Sequence, residues 1–206
     1  MARITRKELK SDKFALEVGQ TVSFFEEHQR AGREEALSSA ILVQEAPIEA
    51  APRPGALTFP TQAAKDEATT RAFSSLAAKY SGTTEGEVAQ YYLGAIEADA
   101  SKMAEAEKRF QEVAQHGNAN FASLAKFSLA QIYYSDGRDA QGEVILRDLM
   151  EHPTTLVSKE QATITLARYL IIKRPAEARK LLDPLKTVGG PVGQLVLSLY
   201  GQLPPQ

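Results

Sequence analysis

A large–small pattern returns along this chain at a nearly fixed interval, and that interval limits the fold more than any single motif does. Ala106, Gly142 and Ala178 stand 36 residues apart, and Phe110, Leu146 and Leu182 follow them, each four residues on. Upstream, the pairs Leu93-Gly94, Leu129-Ala130 and Leu166-Ala167 recur at intervals of 36 and then 37. Self-similarity at a period of about 20–50 residues marks a repeat architecture, in which no unit buries its apolar face alone and stacking supplies the core. The spacing predicts a helical hairpin per unit, with the large–small pair at the middle of the first helix. The second helix carries a small residue and, one turn on, a large one. A Gly or Ala lets the partner helix approach, and the Phe or Leu fills the space between layers.

The punctuation agrees with this reading. Ser81-Gly82, Gly117-Asn118, Asp136-Gly137, His152-Pro153, Lys173-Arg174-Pro175 and Gly189-Gly190-Pro191 all carry residues that end helices for backbone reasons. Between them the sequence predicts helices near 62–80, 85–99, 101–116, 119–136, 138–151, 155–173, 175–187 and 191–201, with no convincing strand alternation. Upstream, Pro47, Pro52, Pro54 and Pro60 remove backbone donors and bias their neighbours away from helix, so 45–61 reads as an extended linker after a short helix at 33–44. Thr5 and Glu8 have capping-box spacing, and Phe14, Val18, Val22 and Phe25 then recur at helical intervals. Three segments follow: an amphipathic helical segment at 1–30, a short helix and linker at 31–61, and a repeat domain at 62–206.

These marks resemble the tetratricopeptide repeat, a helix–turn–helix unit of about 34 residues. Three repeats are expected. The first, near 87–118, holds Leu93, Gly94, Ala106 and Phe110. The second, near 123–154, holds Leu129, Ala130, Tyr133, Gly137, Leu146 and Pro153. The third, near 160–190, holds Leu166, Ala167, Ala178 and Leu182. The 62–80 helix reads as an N-terminal half-repeat and 191–201 as a cap. The fold class is all-α, a short solenoid of about three hairpins with capping helices.

Few residues point to chemistry. There is no cysteine, which excludes disulfides and thiolate metal sites, and the net charge of −2 gives no field for nucleic acid. The basic residues of the first 13 are diluted by acids and lack a base-reading fold, so no nucleic acid is expected as a partner. His28, His116 and His152 have no ligand spacing; His116 and His152 read as cations at helix C-termini. Gly189-Gly190-Pro191-Val192-Gly193 lacks the Lys-Ser/Thr of a phosphate loop and is explained as a helix junction. No metal, no cofactor and no catalytic set is expected. The alternative is an enzyme whose site is assembled from scattered residues of the helical array.

The expected site is a peptide-binding groove on the first helices of the hairpins. Tyr91, Phe127 and Ile164 occupy equivalent positions, with Gln131, Tyr134 and Arg168 on nearby turns. Packing within the core is the rival role for these residues. Co-chaperone members of the tetratricopeptide class grip acidic tails through Lys, Arg and Asn. The corresponding residues here are Tyr91, Ala95, Ser128, Gln161 and Thr165, none cationic, so the groove is expected to favour apolar segments.

The N-terminus carries a second resemblance. Residues 1–10 (Met-Ala-Arg-Ile-Thr-Arg-Lys-Glu-Leu-Lys), with Val22-Ser23-Phe24-Phe25-Glu26-Glu27-His28, resemble the cytoplasmic start of the YfgM-like family, membrane-anchored ancillary subunits of the SecYEG translocon. That resemblance implies a chaperone-like scaffold, with the Sec translocon and exported client proteins as partners and a periplasmic repeat domain. The family's single spanning helix would follow here. Gln29-Arg30-Ala31-Gly32-Arg33-Glu34-Glu35 stands in its place, so the chain as written reads as soluble, with no membrane span.

Overall fold

A computed structural model describes residues 30–49 and 55–204. The expected helix with its Phe14, Val18, Val22 and Phe25 face lies outside them. Every regular element among the described residues is helical. The chain divides into two compact units, Met1–Tyr80 and Ser81–Gln206.

In the first unit, helix α1 runs over described residues 30–45 and spans the expected 33–44. Helix α2 (Gln62–Lys79) is capped by Thr61, whose Oγ1 accepts from the Ala64 N–H at 3.2 Å. Ala36, Ala40 and Val43 of α1 and Ala72, Leu76 and Tyr80 line one shallow apolar groove, so α1 and α2 are neighbours. The expected linker is tied back on itself where it is described. The Phe59 N–H donates to the Pro47 carbonyl at 3.0 Å and the Glu49 N–H to the Phe59 carbonyl at 2.9 Å, an isolated parallel bridge. The prolines remove some donors, but Glu49 and Phe59 keep theirs and use them. Helix α2 therefore groups with α1, whereas the sequence reading set the boundary before it.

The second unit is the solenoid. Three hairpins follow in order: α3 (Thr84–Asp99) with α4 (Met103–His116), α5 (Ala119–Ser135) with α6 (Asp139–Glu151), and α7 (Lys159–Lys173) with α8 (Pro175–Leu182). A 3₁₀ turn (Asp183–Leu185) and helix α9 (Gly190–Gly201) close it. Each helix packs on the next, and α3 also reaches α5.

Leu93, Ala106, Phe110, Leu129, Ala130, Leu146, Leu166, Ala167, Ala178 and Leu182 are all buried. Gly94 and Gly142 are buried too. Two apolar clusters result, one around Phe110, Val113 and Leu129, the other running from Leu146 through Leu166 and Leu182 to Val196 and Leu199, with Ile145 touching both.

Two boundaries differ from expectation by four residues or more. Helix α7 starts at Lys159 rather than 155, because Thr154 and Val157 close a turn first (Thr154 N–H to the Val157 carbonyl, 2.9 Å; Val157 N–H to Thr154 Oγ1, 3.1 Å). Helix α8 stops at Leu182 rather than 187, since Pro184 has no N–H to continue the ladder.

The two helices of a hairpin begin differently. The first helices, α3, α5 and α7, which make the inner layer, are capped by Thr83, Asn118 and Ser158, whose side-chain oxygens accept backbone N–H bonds at 3.1–3.3 Å. The outer ones begin after Lys102, Arg138 and Arg174, which make no side-chain cap. The first two inner-to-outer turns pass through left-handed backbone at Ser101 (φ 61°) and Gly137 (φ 76°), again 36 residues apart. Glycine adopts that conformation freely and serine does not.

Candidate functional site

The inner layer is α3, α5 and α7. Phe110 at the α3–α4 interface stands beside Gly94, where an added Cβ would lie 2.9 Å from its ring. Tyr91 joins it there, with ring centroids 5.5 Å from Phe110, 5.6 Å from Phe121 and 5.9 Å from Tyr92. Tyr91 thus fastens α3 to α4 and α5. Phe127 is half-buried against the second apolar cluster, and Ile164 is a buried member of it. The row Tyr91, Phe127, Ile164 therefore serves packing in this structure.

Tyr134 is also a packing residue. Its ring stacks on Tyr169 of the next hairpin at 3.8 Å and 7°, and its edge fills the space left by Gly142, where a Cβ would meet it at 2.7 Å. Its hydroxyl is buried with no hydrogen-bond partner. Burial, aided by the charges of Glu143 and Asp139, pushes its pKa up to about 12.

The accessible surface of the inner layer lies one helical turn further along. Ala95, Gln131 and Arg168 form one row, and Asp99, Ser135 and Ile172 the next, each row at the repeat interval. Arg168 is exposed, its guanidinium 5.7 Å from the Tyr169 ring centroid. Ile172 is 91% exposed, the most exposed large apolar side chain described. Between α3, α4 and α5 the surface sinks into a cavity of about 370 Å³. Ala95, Ala98, Met103, Phe110 and Ile132 supply its apolar wall; Asp99, Ser128, Gln131 and Ser135 supply its polar edge. Of the six residues the sequence nominated, Gln131 lines this cavity and Arg168 shares its face, while the other four hold the layer together.

The outer side carries a feature the sequence reading missed. Arg138 donates to Glu107 of the preceding hairpin through two nitrogens, at 2.8 and 2.6 Å, and its guanidinium lies 4.2 Å from the Tyr133 ring centroid. Arg174 donates to Glu143 through one nitrogen, and both members have moved on by 36 residues. Hydrogen bonding to Arg138 holds Glu107 below the usual carboxylate range, and Arg174 does the same to Glu143. The signal was present in the sequence as Lys102, Arg138 and Arg174 at the repeat interval.

Among the described residues no group of three or more His, Asp or Glu side chains could hold a metal ion. His152 Nδ1 sits 3.1 Å from an Asp148 carboxylate oxygen, beside the end of α6. Among the described residues no helix is long and apolar enough to cross a membrane.

A family model described as a tetratricopeptide repeat-like domain matches residues 18–182. No curated protein and no solved structure matches the chain.

Proposed function

We propose, from the premise that this chain belongs to the tetratricopeptide repeat-like domain family and is a protein-interaction scaffold, that its inner layer binds apolar segments of client proteins. The observation that carries the reading is the cavity between α3, α4 and α5, walled by apolar side chains and lined by no Lys, Arg or His. A carboxylate-gripping groove needs cations at that place, because charge-assisted bonds supply its affinity. Ile172, exposed on the same face two hairpins along, extends the apolar track. An extended peptide laid across the inner helices would meet Ala95, Gln131 and Arg168 in turn, and then Ile172.

The N-terminal resemblance to the YfgM-like family supports a finer reading, a chaperone-like accessory to protein export with the Sec translocon and exported clients as partners. Weak binding of many apolar segments suits such a role better than tight binding of one.

The test is a titration of the full chain with a labelled apolar peptide and an acidic-tailed peptide, each at low and high salt. The apolar peptide is expected to bind weakly and with little salt dependence, since no ion pair is made. Ile172→Ser should weaken it several-fold while leaving the melting curve unchanged. Tighter binding of the acidic peptide, lost at high salt, would overturn the proposal.

A further inference from the structure

We infer that the cavity between α3, α4 and α5 takes a lysine or arginine side chain, so the segments recognised are mixed apolar and basic rather than purely apolar. The inference rests on the inner-layer binding reading and narrows its ligand class.

Size and wall come first. At about 370 Å³ the cavity lies near the lower end of small-molecule pockets, which run from about 300 to 1,000 Å³, and so suits one long side chain. The methylene stem of a Lys or Arg packs on apolar surface while its charged head stays at the polar edge. Here the wall would take the stem and the head would reach Asp99 and Gln131 at the rim.

Charge decides the sign of the head. Asp99 is exposed and makes no ion pair with any described residue. It closes α3, and Ser135 closes α5, so two helix C-termini meet at this rim; the N-terminus of α4 reaches it at Met103, and Asp99 is the one formally charged side chain in the lining. A helix C-terminus carries partial negative charge and favours a nearby cation. Helices α2, α7 and α8 each supply one from their own last turn, as Lys79, Lys173 and Arg179, while α6 and α9 end without one outside this lining. Helices α3 and α5 have no basic residue there. The nearest candidates in sequence are otherwise placed: Arg138 is held by Glu107 and Asp136, and Lys102 begins α4 outside the cavity lining. The carboxylate of Asp99 thus stands at the rim of an apolar hole that no described cation occupies.

The experiment uses the full chain and three labelled peptides that share one apolar sequence and differ at one central position: lysine, norleucine or glutamate. Norleucine keeps the apolar stem and removes the charge. The lysine peptide should bind about tenfold tighter than the glutamate peptide, with norleucine between, and the lysine advantage should shrink as salt rises. Asp99→Asn should erase the advantage of lysine over norleucine and leave norleucine binding as it was. Equal binding of lysine and norleucine, or an advantage that survives in Asp99→Asn, would overturn the inference while leaving the apolar groove standing. Failure of all three peptides to bind would overturn both.

Discussion

Gly142 stands where the first and third hairpins carry Ala106 and Ala178, and the reason lies eight residues upstream. Tyr134 fills the space that Ala98 leaves small in the first hairpin, so the outer helix must give up its methyl. Gly142→Ala adds a Cβ 2.7 Å from the Tyr134 ring and 3.0 Å from the Ala130 carbonyl oxygen. The ring cannot step aside, because it is stacked on Tyr169. Overpacking costs about 1–3 kcal/mol and the better helix propensity returns at most about 1. A net loss of about 1–2 kcal/mol is expected in urea denaturation. An unchanged or raised midpoint would show that the tyrosine moves. The small positions were legible in the sequence because only Gly and Ala permit such contacts and they fell on the period. The role of Tyr134 was not. An aromatic on a helix suits a groove or an interlayer seam equally, and only the position of Tyr169 decides between them.

At the level of elements, helices were found from their ends and misjudged on their faces. Gly, Pro, Asn and Asp mark the junctions whatever surrounds the helix, which is why the expected spans lie close to α2 through α9. Facing is harder where a helix is apolar on most sides. In α7, Ala162 through Ala167 are six consecutive buried residues, so the 3.6-residue rhythm that would identify the inner face is washed out. The Glu107–Arg138 and Glu143–Arg174 pairs were hidden for another reason: their members are 31 residues apart in the sequence. They have a measurable signature. Both carboxylates titrate below their ordinary value in the fold, so they bind protons less readily there than in the unfolded chain. Their contribution is present above the unfolded glutamate value of about 4.3 and is lost as pH falls through the lower folded values. Glu107→Gln or Glu143→Gln should each lower stability by about 1 kcal/mol at pH 7, the upper end for partly exposed pairs. The difference from wild type should shrink as pH falls through the lowered folded values. A penalty that persists in acid would mean the side chains act through packing alone.

For the molecule as a whole, stability of a stacked array is the sum of its units and the seams between neighbours. The second unit, Ser81–Gln206, holds all three hairpins, the cap helix and both apolar clusters named above. A fragment spanning 81–206 is expected to melt cooperatively within a few degrees of the corresponding transition of the full chain, followed by circular dichroism. A broad, non-cooperative melt would show that α2 is part of the same folding unit, as the sequence boundary had placed it. The outer ion pairs bear on how such a chain changes length. Each arginine reaches back to a carboxylate 31 residues earlier, and both members recur at the 36-residue period. Excising residues 108–143 would bring Arg174 to that same distance from Glu107 and rebuild the pair from its remaining halves. A deletion or duplication of one whole period therefore preserves this kind of pair at the join, although the excision also takes away Arg109, the partner of Glu97. Any other length breaks the 31-residue spacing, so these arginine seams favour gains and losses in whole units.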